Sequence, residues 1–257
     1  DVQGIEVGDR VMGVALGAYA EYCSVGNVLT NKPMVVKLPD NVTYEEAATV
    51  EPLVVSLTAV RRAGLKDGER VLITGAGMIG LGCVQVINAL HPGCEVIVTD
   101  VSDKRLDMAR QFGASRTLNV LQEELVAEMK TLTGEATAVY APTSSAKIDV
   151  AIEASGLAGP LNDALELVRP GSGRLICVAL YEEKPQVDFN QVVAKNLKVI
   201  GTLGYNEADI IEALNLIASG KVDRKPLITH RYALSDAAEA FEAQLNTAET
   251  LKAVIQP

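Results

Sequence analysis

The stretch that decides the fold runs from Val71 to Gly80 and reads Val-Leu-Ile-Thr-Gly-Ala-Gly-Met-Ile-Gly. A short apolar run that favours a strand is followed at once by glycines in the spacing G-x-G-x-x-G, and an apolar helix pattern begins at Ile79. Gly75 permits a tight turn, Gly77 lets the backbone approach a bound pyrophosphate, and Gly80 lets the helix pack closely on the strand. The free N–H groups at the helix start would then face the phosphates. A glycine-rich turn that binds no ligand is the alternative interpretation.

An acidic residue, Asp100, ends the next predicted strand, 20 residues after the last glycine of the motif. At this position a carboxylate hydrogen-bonds the ribose hydroxyls of a dinucleotide, and its charge repels a 2′-phosphate, so the pattern predicts NAD rather than NADP. A helix N-cap or a strand end in solvent would also suit Asp100. Lys104 and Arg105 follow, and a basic residue there can instead accept that phosphate. We assign Arg105 to the adenine end of the cofactor, with an exposed helix position as the alternative.

Outward from this turn, short apolar strands alternate with helices. The predicted strands are 71–74, 95–99, 117–120, 148–152, 175–179 and 197–203. Fully apolar strands separated by helices imply a parallel sheet that is covered on both faces. The predicted fold class is therefore α/β, a doubly wound six-stranded parallel Rossmann sheet.

The flanks of this sheet have other textures. Residues 1 to about 50 mix Gly, Val and short apolar runs, which predicts short strands and turns, and Thr43 then begins a capping box that starts a helix. Residues 134–147 are small and polar, so we expect an exposed loop there. Residues 206–257 predict a capped helix, a short strand, a second helix and a last strand.

The composition excludes several classes of partner. The 257 residues are 48% hydrophobic and 22% charged, with a formal net charge of −10, which argues against nucleic acid or an anionic membrane. No segment has the length of a membrane span, the N-terminus lacks a signal-peptide pattern, and the four cysteines form no ligand cluster, so we expect a cytoplasmic protein. Because the chain does not begin with Met and opens in a strand-rich pattern, we expect further sequence before Asp1.

Further motifs occur in a fixed order along the chain. They are Asp9-Arg10-Val11, Lys37-Leu38-Pro39-Asp40, Ala47-Ala48-Thr49-Val50-Glu51-Pro52, the glycine motif, Glu153-Ala154-Ser155-Gly156 and Pro226-Leu227-Ile228-Thr229-His230. Over almost the whole chain, the ordered set resembles the medium-chain dehydrogenase/reductase superfamily. The resemblance is strongest to its zinc-dependent sorbitol, butanediol and threonine dehydrogenase branch.

This resemblance implies a second domain, a partial GroES-like β-barrel. Residues 1–50 would belong to the GroES-like catalytic domain, residues 51–204 would form the NAD-binding Rossmann domain, and residues 205–257 would return to the catalytic domain. The cofactor would lie in the cleft between the two domains.

The resemblance also implies roles for individual residues. Glu51 matches a position that faces the catalytic zinc in sorbitol dehydrogenase-like enzymes, directly or through water, although an acid at the start of a helix is the other interpretation. Tyr205 would reach the substrate cleft, and Glu51 and Tyr205 are our catalytic candidates. Sorbitol dehydrogenases have Arg where this chain has Gly204, which weakens a specific sorbitol assignment.

By the same matching, cofactor contacts fall on the carboxyl ends of several strands, where ligands bind in open α/β sheets. In addition to the glycines and Asp100, the residues implied are Met78, Ile79, Ser155, Val178, Ala179, Leu180, Thr202, Leu203 and Gly204. Plain sheet core is the alternative role for the residues after the fifth and sixth strands.

The zinc ligands are where the chain departs from the family pattern. The family's first ligands, a Cys and a His-Glu pair, lie upstream of this sequence, and neither His91 nor His230 replaces them. The four-cysteine structural zinc lobe has no counterpart between Gly8 and Glu21. We therefore expect this chain to bind the cofactor but not to hold the catalytic zinc by itself.

The predicted function is an oxidoreductase that transfers a hydride between NAD(H) and a secondary alcohol or polyol, with zinc polarising the substrate oxygen in the intact protein. One alternative is a zinc-free quinone or enoyl reductase of the same superfamily. Another is a non-catalytic NAD-binding protein. The expected partners are the small-molecule substrate and further copies of the chain, because the apolar sixth strand suggests sheet-extending dimerisation by analogy with the family.

Overall fold

The computed structural model describes residues 4–15, 17–25, 35–141 and 143–257. The predictions for the rest of the first 50 residues and for Pro142 lie outside the described part of the chain. The chain divides into two compact units, the first made of Asp1–Val54 and Tyr205–Pro257 and the second of Val55–Gly204. Each unit is described by itself below.

The described strands and helices are numbered in chain order. The strands are β1 (Val11–Gly13), β2 (Val35–Lys37), β3 (Arg70–Thr74), β4 (Glu95–Asp100), β5 (Arg116–Asn119), β6 (Glu135–Ala136), β7 (Ser145–Ala146), β8 (Val150–Glu153), β9 (Arg174–Cys177), β10 (Lys198–Gly201), β11 (Ile228–Ala233) and β12 (Lys252–Gln256). The helices are α1 (Tyr44–Ala47), α2 (Val50–Ala63), α3 (Met78–Leu90), α4 (Asp103–Gln111), α5 (Leu125–Thr133), α6 (Ala158–Leu167), α7 (Phe189–Lys195), α8 (Glu207–Ala218) and α9 (Ala237–Leu245). Among the described residues, no helix is both long enough and apolar enough to cross a bilayer.

The second unit is built on a six-stranded sheet with the order β10-β9-β8-β3-β4-β5. Every neighbouring pair in this sheet is parallel. The chain starts in the middle at β3, runs outward to β5, and then returns to β8 and runs outward to β10 on the other side. This reversal is the doubly wound Rossmann order, so the predicted six-stranded parallel α/β sheet is confirmed.

The central strands lie in the core of the second unit because their sequences are continuous apolar runs. Leu72, Ile97 and Ala151 on β3, β4 and β8 are fully buried. They belong to one apolar cluster with side chains of the covering helices, such as Met129 on α5 and Leu165 on α6. Burial on this scale stabilises a side chain of Leu size by about 2 kcal/mol relative to exposure.

One prediction about the second unit is wrong in detail, and one of its helices was not predicted. Residues 134–147 are not a loop throughout, because β6 and β7 pair as antiparallel strands and Ser145 is buried. The Lys195 Nζ group, itself buried at the end of α7, donates to the Ser145 hydroxyl at 2.9 Å, which is why a polar strand residue is tolerated there. Helix α7 is also missing from the prediction, although Asp188 caps it as an Asp should.

The first unit contains the flanking segments. Its strands form two small sheets, antiparallel β1-β2 and parallel β11-β12. Helix α1 begins in the predicted capping box at Thr43, and Asn206 caps α8 in the same way. Arg231 on β11 donates two hydrogen bonds of 2.8 Å to the Glu45 carboxylate, which joins a strand of one flank to a helix of the other.

Candidate functional site

The carboxyl ends of the sheet strands lie side by side in register. Thr74 at the end of β3 pairs with Thr99 on one side and with Glu153 on the other. Cys177 pairs with Glu153 in turn, and Gly201 pairs with Cys177. The segments that follow these strands therefore meet along one edge, where open α/β sheets bind ligands.

The glycine turn after β3 is fixed by close backbone packing. Gly75 has a φ of +97°, which an L side chain rarely adopts, and its N–H donates to the Thr99 carbonyl at 2.8 Å. A Cβ at Gly80 would lie 1.8 Å from the Gly75 carbonyl oxygen, so no side chain fits there. A Cβ at Gly77 would meet no atom within 4 Å, and Gly77 caps the N-terminus of α3. The turn thus leaves open space in front of the free N–H groups of a helix.

Asp100 lies beside this turn and supports it. One carboxylate oxygen accepts a hydrogen bond from the Ala76 N–H at 2.7 Å, and the other accepts from the Ser102 N–H at 2.9 Å. Ser102, and not Asp100, is the N-cap of α4, on which Arg105 lies. Each carboxylate oxygen has two lone pairs, so Asp100 keeps acceptor capacity for a further donor.

A small cavity of about 100 Å³ opens beside the ends of β4, β5 and β8. Its walls are mostly apolar, and two carboxyl groups, those of Asp100 and Asp163, belong to them. The lining residues are Gly75, Thr99, Asp100, Val101, Val120, Leu125, Ser155, Leu157, Pro160 and Asp163. We call this cavity the apolar slot.

A larger cavity of about 720 Å³ adjoins the segments that follow β8 and β9. Its lining residues are Ser155–Ala158 and Leu180–Gln186. Ser155 and Leu157 line both cavities, so these two residues form a shared wall.

One buried carboxylate, that of Glu153 at the end of β8, holds the loops around these cavities. Glu153 is fully buried, and its Oε1 accepts from the Ser155 N–H at 2.8 Å, from the Ser155 hydroxyl, and from the Gly156 N–H at 3.1 Å. Its Oε2 accepts from the Tyr181 hydroxyl at 2.6 Å. Burial and the adjacent Glu153 raise the pKa of the Tyr181 phenol, and burial raises the pKa of the Cys177 thiol to about 11. Both groups therefore keep their protons at neutral pH.

The segments after β9 and β10 carry the remaining residues predicted to line the cofactor site. The two segments are joined by the Thr202 N–H, which donates to the Cys177 carbonyl at 3.0 Å. Val178 and Thr202 are each 8% exposed, whereas Leu180 and Leu203 are each 78% exposed. The buried Thr202 hydroxyl has no hydrogen-bond partner among the described residues.

Glu51 and Tyr205, the two catalytic candidates, come together in the first unit. Glu51 lies in the first turn of α2, and its carboxylate lies close enough to the Tyr205 phenol to affect that group's pKa. Burial, and to a smaller extent the Glu51 charge, raises the pKa of Tyr205, so the phenol stays protonated. The described part of the chain contains no group of three or more His, Cys, Asp or Glu side chains suited to a metal ion. Glu51 and Tyr205 therefore do not amount to a zinc donor set.

Two features of this site were not predicted from the sequence. The first is the hydrogen-bond network of Glu153, the first residue of the Glu153-Ala154-Ser155-Gly156 motif. The second is Asp163 in the wall of the apolar slot. Sequence patterns assign one of these acids to a strand end and the other to a helix face. The one feature of the sequence that could have indicated their roles is an acid within or just after an apolar run.

Comparison with known protein families agrees with this geometry. Residues 79–219 match the family model described as zinc-binding dehydrogenase, which is more than half of the chain. Sorbitol dehydrogenase 1 of Saccharomyces cerevisiae is 34% identical over 234 residues, which cover 88% of this chain and 62% of the yeast protein. The chain thus spans about three-fifths of the length of this relative.

Solved structures show the same fold. The chain is similar to 2R,3R-butanediol dehydrogenase from Bacillus subtilis, with a TM-score of 0.74 and 28% identity over 87% of this chain and 60% of the other. It is also similar to ECK1772, an oxidoreductase/dehydrogenase of unknown specificity from Escherichia coli, with a TM-score of 0.82 and 27% identity over 99% of this chain and 77% of the other. The predicted resemblance is confirmed, and the chain belongs to the zinc-binding dehydrogenase family of the medium-chain dehydrogenase/reductase superfamily, on its sorbitol and butanediol dehydrogenase-like side.

Proposed function

We propose that this protein is an NAD(H)-dependent oxidoreductase that transfers a hydride to or from a secondary alcohol or polyol. The observation that supports it most directly is the open space at Gly77, in front of the start of α3 and beside the Asp100 carboxylate. A dinucleotide diphosphate would occupy that space, because the helix N-terminus offers it free N–H groups and a favourable dipole.

The rest of the cofactor would follow the carboxyl edge of the sheet. Asp100 would hold the ribose hydroxyls with its spare lone pairs, and the apolar slot would take the adenine ring. The nicotinamide end would lie near Val178 and Thr202, where the Thr202 hydroxyl lacks a protein partner among the described residues. Bound NAD would supply the hydride-accepting carbon, and the protein would supply position and electrostatics.

A polyol or diol is the substrate class that the relatives favour, since their names are sorbitol and butanediol dehydrogenase. Tyr205 stays protonated against Glu51, so it would present a hydrogen-bond donor and orient the carboxylate, and would not act as a base near neutral pH. In the intact protein, zinc chemistry would need ligands in addition to Glu51. The zinc-free reductase and the non-catalytic protein remain outcomes of the experiments below.

The first unit and the sheet edge complete the proposal. We propose that the small sheets β1-β2 and β11-β12 belong to a GroES-like domain. Strand β10 is the last strand of its sheet, with Val199 partly exposed, and we propose that it pairs with a second copy of the chain in a homo-oligomer.

Cofactor preference is the first test. Titration of the protein with NADH and with NADPH, followed by ligand fluorescence, should give an NADH affinity that is at least about tenfold higher, because the Asp100 charge repels the 2′-phosphate. Asp100→Asn keeps an acceptor for the Ala76 N–H but removes the charge, so the preference for NADH over NADPH should become smaller. Asp107→Asn, an exposed position on α4 outside the site, is the matched control and should leave the preference unchanged. Tighter binding of NADPH by the unmodified protein would contradict the proposal.

Turnover separates the three functions. The full-length protein is incubated with NAD and sorbitol, xylitol or 2,3-butanediol, NADH formation is followed by absorbance, and zinc content is measured in parallel. Polyol oxidation with bound zinc supports the proposal. Quinone reduction without zinc would favour the zinc-free reductase, and cofactor binding without turnover would favour the non-catalytic protein.

A further inference from the structure

Asp163 occupies an unusual place in the wall of the apolar slot. It lies in the middle of α6, and the slot brings it together with Asp100 across walls made mainly of apolar side chains such as Val120, Leu157 and Pro160. Asp100 has its hydrogen-bonding role at the ribose end, beside the glycine turn. Of the two carboxylates that line the slot, Asp163 is therefore the one left to meet whatever fills it.

The Asp163 carboxyl group lacks a partner of its own. Among the described residues, it accepts no hydrogen bond and forms no ion pair. Partial burial and the nearby carboxylates of Glu166 and Glu124 raise its pKa, so the surroundings disfavour its charge. A half-buried carboxylate is normally satisfied by a cation or by hydrogen-bond donors, and a ligand donor would relieve this cost.

The lining of the slot limits what that donor can be. Its apolar walls suit a flat aromatic ring better than a sugar or a phosphate, which would require several polar partners. A purine base fits these walls, and of its polar edges an exocyclic amino group offers two N–H donors to a carboxylate. A carbonyl oxygen at the same ring position would instead face the carboxylate as one acceptor against another.

We propose that Asp163 recognises the purine base of the dinucleotide by accepting a hydrogen bond from the exocyclic amino group of adenine, and that it thereby selects against purines with a carbonyl at that position. This inference rests on the proposed NAD(H)-binding function, and it adds a specificity-determining residue to it. The recognition is distinct from the role of Asp100, which concerns the ribose.

The test compares NADH with its analogue in which hypoxanthine replaces adenine. In this analogue a carbonyl replaces the amino group at this ring carbon, and the adjacent ring nitrogen gains a hydrogen. Dissociation constants are measured by ligand fluorescence on the full chain. The unmodified protein should bind NADH about 10- to 100-fold more tightly than the analogue, as expected for one charge-assisted hydrogen bond. In Asp163→Asn, the amide N–H₂ group can turn towards the hypoxanthine carbonyl, so the affinities for NADH and for the analogue should differ by no more than about threefold. Asp163→Leu, of similar size without polar atoms, should also lose the preference, through weaker NADH binding.

Glu166→Gln is the matched control, because it removes one negative charge from the same helix at a residue outside the slot. It should keep the preference of the unmodified protein. If the unmodified protein binds neither dinucleotide, the proposed function fails and this inference fails with it. If NADH binds well but the preference is absent, or survives in both Asp163 variants, the inference alone is overturned. Thermal unfolding of each variant confirms that the comparison is made on folded protein.

Discussion

Two segments on neighbouring strands of the same sheet form the candidate site, and they are built in opposite ways. Gly75–Gly80 follows β3 and extends into the first turn of α3, and Glu153–Asp163 runs from the last residue of β8 into α6. The first segment owes its shape to missing side chains, since a Cβ at Gly80 would overlap the Gly75 carbonyl. The second is organised by carboxylates. Substitutions in the first segment should therefore destabilise the protein by steric overlap, and substitutions in the second by loss of hydrogen bonds.

The two acids of the second segment also differ from each other. Glu153 is fully buried and accepts hydrogen bonds from Ser155, Gly156 and Tyr181. Asp163 is half-buried and has no such partner among the described residues. A carboxylate with all its partners in the protein stabilises the fold, whereas one without them is a candidate for ligand recognition.

The largest effect should come from Gly80→Ala. Ala favours a helix by about 1 kcal/mol over Gly, but the new Cβ would lie 1.8 Å from the Gly75 oxygen, so the helix must move away from the turn. We expect a net loss of about 3 kcal/mol in the free energy of unfolding, measured by chemical denaturation, together with loss of NADH binding.

Gly77→Ala is the matched partner of that variant, because its Cβ would meet no protein atom within 4 Å. Its stability should stay within about 1 kcal/mol of the unmodified protein, while NADH binding weakens about tenfold or more as the Cβ fills the diphosphate space. Equal losses of stability in the two variants would contradict the steric account of the turn.

A smaller effect is expected when the carboxylate-organised segment is changed. Glu153→Gln replaces one acceptor oxygen by a donor that faces other donors, and it should cost about 2–3 kcal/mol in the free energy of unfolding. Tyr181→Phe removes a single hydrogen bond of 2.6 Å to Glu153 and should cost about 1 kcal/mol.

The double variant sharpens this result. If Tyr181 stabilises the loop through Glu153, the cost of Tyr181→Phe should shrink in the Glu153→Gln background, which a double-mutant cycle measures. Faster hydrogen exchange confined to the Leu180–Gln186 loop should accompany both single changes. Fully additive costs would mean that the two side chains act independently.

The smallest effect, with the opposite sign, should come from Asp163→Asn. Because the pKa of Asp163 is raised in the folded protein, the folded state binds more protons than the unfolded state between pH 3.8 and that raised pKa, and stability falls as the pH rises through this range. Asn removes this cost, so the variant should be more stable near neutral pH by up to about 1 kcal/mol. The gain should disappear as the pH falls below 3.8. It is measured as the difference in denaturation midpoint across pH, and destabilisation at neutral pH would show that Asp163 has a structural partner.

The backbone-built segment was predictable from the sequence, whereas the carboxylate-built segment was not. Glycine positions are specific because a positive φ or a close backbone approach favours a residue without a side chain. The turn geometry at Gly75 and Gly80 can therefore be predicted from the sequence. The sheet was predictable for a similar reason, since fully apolar strands are typical of a parallel sheet that is buried on both faces.

Carboxylates are ambiguous in a sequence because the same residue type caps helices, ends strands and faces solvent. Asp100 illustrates this, since its bond to the Ala76 N–H depends on a partner 24 residues away. The Tyr181 partner of Glu153 lies 28 residues away, on a loop with no local pattern. Helix α7 was missed for a related reason, because its seven residues are too few to show a clear helical period.

The wall that the two cavities share has a consequence for inhibitor design. Because Ser155 and Leu157 border both spaces, a fragment seated in the smaller one has only a short path into the larger one. A compound that joins an adenine-like head to a polar tail along this path would gain from linkage. Its tail would touch Glu182–Gln186, beyond the cofactor contacts predicted for this chain, and contacts there would add to its affinity.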